Sequence, residues 1–363
     1  RAGLVKLGHV ALDGSKVEAN ASKHKAMSYK RMKEEEERLG KEIEEMLRRA
    51  EAVDEAEDEL YGEGRDAFEW PEEMKTRAGR LKRLKEARES LEREAREQRA
   101  KELREQADGM EKSADKEDRE VVEKSLRGNA RTRRKKAAAL FPEPDESPET
   151  PDTELPKRTF ETTPDGTPTD KCQRNFTDPE SHIMKGRDGF IQGFNGQVVV
   201  DDAHQVIVAA DVTNQPPDNG NLMPMLKQTI ENCGRSPEKL SADAGYWNRE
   251  APAQSEAAGT DVYISTKRVK HGQAGPPSGQ GPPTDDLTER ERMRWKLDTL
   301  EGRAVYARRK AIVEPVFGQI KAAMGFRRFS FRGLQAVRAE WNLVSACHNL
   351  LKLYRAQPGM SIS

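Results

Sequence analysis

Three carboxylates stand in settings suited to holding metal ions. Asp13 closes the apolar run in His-Val-Ala-Leu-Asp-Gly-Ser-Lys, and Asp243 closes a similar one in Lys-Leu-Ser-Ala-Asp-Ala-Gly-Tyr. Glu314 lies in the basic, helix-like stretch Tyr-Ala-Arg-Arg-Lys-Ala-Ile-Val-Glu-Pro-Val-Phe-Gly-Gln-Ile-Lys. Two carboxylates at strand ends and a third on a helix form a cage for Mg²⁺. Such ions polarise phosphates and activate water or a 3′-hydroxyl for in-line phosphoryl transfer. The small residues around Asp243 leave room for a phosphate backbone to come close. Pro315, directly after Glu314, is costly inside a helix and predicts that the helix begins or kinks there. Asp211, after the apolar run 206–210, is the substitute ligand if the first strand is misread.

Composition narrows the chemistry. The 363 residues are 35% charged and only 34% hydrophobic, too few apolar residues for one compact globule. The deficit falls on 27–170, rich in Glu, Arg, Lys and then Pro, whereas 189–265 and 304–355 read as core-forming sequence. No apolar run approaches the roughly 20 residues of a membrane span, and the start Arg-Ala-Gly-Leu-Val-Lys has no signal-peptide character. Three cysteines without a C-x-x-C pair argue against zinc sites or a disulfide framework and for a reducing cytoplasm. The net charge of −1 averages out local asymmetry. Between Arg303 and Arg338 stand nine Lys/Arg and one acidic residue, Glu314, which suits an enzyme acting on a polyanion. The first residue is Arg, so an N-terminally truncated chain is the expectation.

The elements that must position these carboxylates follow from periodicity. Residues 1–26 supply the first strand and its continuation. Over 27–61, Met32, Leu39, Met46, Val53 and Leu60 recur every seven residues, a coiled-coil seam with charged flanks. A second helical stretch carries Met74, Leu81, Leu84, Leu91 and Ala95. With the Gly/Pro break between them these predict an antiparallel hairpin or a dimerisation arm; the rest, to 140, is helix or disorder. Residues 141–174 read as a Pro-rich extended linker. From 175 to 355 come a hairpin (190–200 and 205–211, turning at 201–204), a helix over 219–233, a strand at 240–243, a short helix over 249–258, a strand at 262–265, a loop over 271–285 and helices to 355, before a tail at 356–363. Without the charged helical insertion at 27–140 and its linker, three strands precede alternating helices and strands. That is the ribonuclease H-like α/β order, with a mixed sheet and flanking helices.

Four stretches carry a resemblance: Leu-Asp-Gly-Ser-Lys-Val-Glu-Ala-Asn-Ala-Ser (12–22), Asn-Phe-Thr-Asp-Pro-Glu-Ser-His-Ile-Met (175–184), Ala-Asp-Ala-Gly-Tyr (242–246) and Tyr-x-x-Arg-x-x-x-x-Glu-x-x-x-x-x-x-Lys (306–321), in which Arg309 stands one residue further from Glu314 than in the family signature. Together they resemble a bacterial insertion-sequence transposase with a DDE catalytic domain, over roughly 1–25 and 172–355. The resemblance implies metal-dependent cleavage and strand transfer at transposon ends, with Asp13, Asp243 and Glu314 holding two Mg²⁺ (or Mn²⁺) ions. It implies double-stranded DNA, at terminal inverted repeats and target, as partner, a homo-oligomer, and a nucleoid-associated cytoplasmic location. Tyr306, Arg309 and Lys321 would contact DNA; Lys310 restores the signature's usual spacing to Glu314 and shares that role. His182 stands where arginine is common. The alternatives are a non-catalytic coiled-coil or DNA-binding remnant and a stand-alone metal-dependent nuclease.

Overall fold

The computed structural model describes residues 3–61, 72–142, 153–186, 189–266 and 287–356, without the side chains of 50–75. In chain order the first elements are β1 (His9–Glu18), β2 (Ala26–Ser28), α1 (Tyr29–Tyr61), α2 (Glu72–Ala114), α3 (Glu120–Leu140) and β3 (Gln173–Asn175). They are followed by β4 (His182–Gly186), β5 (Gly189–Asp201), β6 (Ile207–Thr213), α4 (Leu222–Cys233), β7 (Lys239–Ala242) and α5 (Ala251–Ala257). The last are β8 (Asp261–Ile264), α6 (Glu289–Asp298), α7 (Leu300–Gly318) and α8 (Leu334–Ala356). They form two compact units, one of Arg1–Lys23, Glu149–Arg158 and Thr177–Ser363, the other of His24–Pro148 and Thr159–Phe176.

The first unit is built on a mixed sheet. β1 lies at its centre, antiparallel to β5 and parallel to β7, which is in turn parallel to β8. The other edge of β5 takes β4 along its first half and β6 along its second. Side chains alternate across β1, and both faces are covered. Val10 and Leu12 pack with Val199, Leu226, Leu240 and Ile264 in one core. Ala11 and Val17 pack with Val198, Val313, Val316 and Trp341 in the other. Asp13 shares the parity of Ala11 and Val17, so the strand aims it at the face that α7 covers. Trp341 of α8 is fully buried and donates its indole N–H to the Gln197 carbonyl at 3.0 Å. A Cβ on Gly196 would lie 2.9 Å from that ring, so only glycine lets the indole lie flat on β5.

Two expectations change here. Asp13 is not at a strand end: β1 continues to Glu18, because its antiparallel pairing with β5 runs from Val10↔Asp201 to Glu18↔Gly193. Nor does a helix begin at Glu314. Pro315 lies inside α7, and the chain widens into a π turn over Gln319–Ala323. A proline cannot donate to the carbonyl four residues back; that carbonyl, of Ala311, instead accepts the side-chain amide of Gln205 at 3.0 Å.

In the second unit, α1 and α2 run antiparallel, with Met32 and Leu39 against Leu84, Leu81 and Phe176. Cross-helix pairs such as Arg88–Glu36 (2.7 Å) and Arg80–Glu35 (2.8 Å) flank that seam. Of the two readings of the heptads, the hairpin within one chain is observed. Between 100 and 140 the chain is helical except at 115–119, and buried Ala100, Leu103 and Ala137 join α2 to α3. β2 and β3 close the unit as a two-stranded ribbon, so Gln173–Asn175 belongs here. The expected linker is structured where it is described: Leu155 is in the first unit's core, and Thr162 and Pro168 form a β-bridge in the second. The Gly/Pro break at 62–71, the side chains of Val53, Leu60 and Met74, the loop over 271–285 and the tail from 357 lie outside the described residues.

Candidate active site

Strand register brings the two aspartates together. The parallel pairing of β1 with β7 ends at Leu12↔Ala242, and the next residue on each strand is Asp13 and Asp243. Neighbouring strands lie about 4.8 Å apart, so the two carboxylates emerge side by side. Beyond Ala242 the chain turns into a short 3-10 segment, whose Gly245 N–H donates to Asp243 Oδ1 at 2.7 Å.

Asp13 is held by two donors. Its Oδ1 accepts the Gly14 N–H at 2.8 Å and its Oδ2 accepts Arg309 Nη1 at 3.0 Å. Burial nonetheless raises its pKa to about 6; Arg309 opposes the rise, while Asp243 and Asp218 add to it. Arg309 moves upward too: burial acts against its charge, but Asp13, Tyr306 and Asp243 outweigh that. The guanidinium thus lies near two carboxylates, Asp13 and Asp243, whereas Asp13 feels two like charges beside the cations Arg309 and Lys16. Arg309 also lies 5.8 Å from the Tyr306 ring centre.

A third aspartate, Asp218, completes this cluster. It sits in the loop between β6 and α4, where its Oδ1 accepts Asn195 Nδ2 at 2.7 Å, Gln197 Nε2 at 2.9 Å and Lys16 Nζ at 3.3 Å. Gly14 and Gly245 flank it. A Cβ on Gly14 would lie 2.3 Å from Gln197 Nε2 and 2.8 Å from Asp218 Oδ1, and one on Gly245 would lie 3.3 Å from Asp218 Oδ2. The fully buried Tyr246 donates its hydroxyl to Gln197 Oε1. Asp218 escapes sequence reasoning because Gln-Pro-Pro-Asp-Asn-Gly-Asn reads as a turn. The one signal pointing to it is the pair of glycines, Gly14 and Gly245, that closely follow the two aspartates and leave space for another side chain.

The remaining expected residues lie on α7 and just beyond it. Arg309, Val313 and Val316 follow helical spacing and face the sheet. Arg309 is therefore turned inward onto Asp13 rather than outward to solvent. Glu314 is exposed and makes no hydrogen bond or ion pair among the described residues. It follows Lys310 by four residues, so those two share one flank of the helix, whereas Lys321 lies in the π turn, out of that phase. Lys321 donates to the Lys16 carbonyl at 3.1 Å, which sets its position along β1. Asp211 belongs to a different cluster, bound to Arg338 Nε at 2.5 Å and Gln228 Nε2 at 3.1 Å. It does not substitute for Asp13. His182 lies 2.6 Å from Arg158 Nη1.

The aspartate pair suits a divalent cation. Each carboxylate keeps acceptor capacity beyond the bonds above, and burial beside like charge is relieved by a cation. Among the described residues, however, no three His, Cys, Asp or Glu side chains are grouped closely enough to hold a metal ion. Glu314 is not gathered with the aspartates.

The family model of the transposase DDE domain matches residues 159–350, more than half of the chain, and the chain belongs to that family. The match takes in Asp243 and Glu314; Asp13 lies before it. No curated protein and no solved structure matches. The mixed sheet is consistent with a ribonuclease H-like DDE domain. Such domains act on DNA, generally use divalent metal ions and belong to polynucleotidyl transferase enzymes. No helix among the described residues is long and apolar enough to cross a membrane.

Proposed function

We propose that this chain is a DNA transposase that cuts transposon ends and joins the freed 3′ ends to target DNA, on a ribonuclease H-like domain interrupted after its first strand by the helical unit. The observation that carries the reading is the juxtaposition of Asp13 and Asp243 one residue past the last rung of β1 and β7, in a family member. Asp13 and Asp243 would hold divalent metal, with Glu314 as the third ligand from the helix flank. The ions, when bound, supply Lewis-acid activation of water or a 3′-hydroxyl. The chain's own groups prepare the place. Arg309 fixes Asp13 through one oxygen, and Gly14 N–H fixes the other. Gly245 N–H sets the rotamer of Asp243. Asp218 holds Lys16 near the cluster. Lys310 places positive charge on the flank of Glu314 and Lys321 places it beside β1 at Lys16, where a DNA phosphate is attracted. Tyr306 packs beside Arg309 and keeps it in place. As in other DNA-joining enzymes that bring two ends together, a homo-oligomer is part of the reading.

One observation favours a second reading. The exposed Glu314, apart from the aspartates, is what a non-catalytic DNA-binding remnant would show. Nicking of supercoiled plasmid with Mn²⁺ separates the two, comparing the wild-type chain with Asp13→Ala, Asp243→Ala and Glu314→Ala. The transposase reading expects each variant to lose more than about a hundredfold in rate, beyond the 10–100-fold typical of residues behind a metal's ligands. Nicking lost with the aspartates but retained by Glu314→Ala removes Glu314 from the ligand set. A wild-type chain that binds DNA without nicking it is a remnant.

A further inference from the structure

The chain carries 63 Lys and Arg, and many on the helical unit are ion-paired. Three arginines differ. After the π turn the chain runs beside the end of β1: Glu18 N–H donates to the Arg327 carbonyl at 3.2 Å, and Phe329 N–H donates to the Glu18 carbonyl at 2.8 Å. Along this stretch Arg327 Nε donates to the Lys321 carbonyl (3.1 Å), Arg328 Nε to the Ala19 carbonyl (3.2 Å) and Arg332 Nε to the Asn20 carbonyl (3.0 Å). The terminal nitrogens of all three make no hydrogen bond or ion pair among the described residues. Each guanidinium is thus oriented by its Nε while its two-pronged end stays open, the form in which arginine takes a phosphate.

The backbone that carries them is fixed from below. Glu340 accepts Ser330 N–H at 2.9 and 3.0 Å and Phe331 N–H at 3.1 Å. Asp178 accepts Gly333 N–H at 3.3 Å and Glu180 accepts Leu334 N–H at 2.8 Å. Phe329 is buried against Phe194, Phe326 and Trp341. Three acidic side chains are therefore turned into the loop's support, and its outer face carries the three cations, Ser330 and Phe331, which is 58% exposed. Nothing in the core accounts for that ring.

We infer that the loop Arg327–Arg332 is a second DNA contact, gripping consecutive backbone phosphates away from the cutting site, with Phe331 lying against a deoxyribose or base between them. The inference rests on the proposed function for its substrate class. Register sets the distance. Arg328 bridges to Glu18, five residues along extended β1 from Asp13. At roughly 3.3 Å per residue this is about 17 Å, or about five nucleotide steps at roughly 3.4 Å each along one strand.

The test is binding of a labelled random-sequence duplex by the full chain without added metal, as a function of salt. The variant Arg327→Gln/Arg328→Gln/Arg332→Gln is compared with Lys41→Gln/Arg48→Gln/Arg49→Gln on α1, which removes equal charge. Each phosphate contact contributes about 0.9 to the slope of log affinity against log salt. The loop variant is expected to lower that slope by roughly 2 to 3, the α1 variant to leave it unchanged. A thermal melt establishes that both variants fold; should the loop variant unfold, the single variant Phe331→Ala replaces it, with several-fold weaker binding expected. An unchanged slope in the loop variant, an equal loss in the α1 variant, or unchanged binding by Phe331→Ala overturns the inference. Nicking in Mn²⁺ is scored in parallel. A loop-dependent slope without nicking keeps the loop and refutes the catalytic reading; nicking with a loop-independent slope does the reverse.

Discussion

At the scale of single residues, the site is an imbalance of charge that folding tolerates and a cation relieves. Asp13 is raised to about 6 by burial, so it holds a proton more tightly folded than unfolded. Its contribution makes stability fall as pH rises from about 4 to about 6, by about 3 kcal/mol. His9, at the start of the same strand, acts oppositely. Burial, then Arg308 and Lys239, lower it to about 4. Folding therefore favours its neutral form, and that stability is lost as pH falls from about 6.5 towards 4, again by about 3 kcal/mol. The two nearly cancel in metal-free protein. His9→Gln should unmask the Asp13 slope, read as urea stability that decreases more steeply from pH 4.5 to 6.5 than in the wild type; an unchanged slope would remove this account of Asp13. Gly14→Ala is expected to cost about 1–3 kcal/mol and to cut nicking by more than about tenfold, because the methyl displaces Gln197 and Asp218. Urea unfolding and the plasmid assay check the two halves. Sequence reveals Asp13 and Asp243 by their apolar approach and small neighbours. It reveals Asp218 poorly, since a Pro/Gly/Asn loop hides its partners. Arg308, Arg309 and Lys310 look equivalent in sequence; the phase of Val313 and Val316 decides that Arg309 turns inward.

At the scale of elements, β5 and α8 set the site's frame. Trp341 fills the space over Gly196 and holds β5 through the Gln197 carbonyl, while the Gln197 side chain reaches Asp218 and Tyr246. Trp341→Ala should destabilise the first unit by about 3–5 kcal/mol, measured by urea unfolding, and a loss below about 1 kcal/mol would show the indole to be dispensable. Strands and helices from 189 to 356 are legible because alternation and helical spacing are strong there. The extent of β1 is not, because Asp-Gly after an apolar run imitates a turn and only pairing with β5 carries the strand through it. Pro315 is misread for a related reason: the acceptor it leaves is satisfied by Gln205, 106 residues away in sequence.

At the scale of the whole molecule, charge is sorted by place. The helical unit pairs many of its cations with neighbouring carboxylates, whereas the stretch after Glu314 carries arginines oriented by backbone carbonyls with open ends. Exposed pairs such as those on α1 contribute little each, so the unit's hold is its apolar seam. Leu39→Lys should cost about 3 kcal/mol or more and melt α1 and α2, seen as lost helical circular dichroism with no change in mass by light scattering at matched concentration. Lost association with helix content intact would restore the dimer-arm reading of the heptads. Heptad spacing alone does not distinguish a partner helix in the same chain from one in another copy, since both bury the same stripe.

The most direct measurement is joining of labelled transposon-end DNA to a target plasmid in Mg²⁺ or Mn²⁺, with the wild-type chain beside Asp243→Ala. The account predicts metal-dependent joined product from the wild type and none from Asp243→Ala, which still binds DNA. Joined product at wild-type level from Asp243→Ala, or DNA binding without any cutting or joining by the wild type, would contradict it.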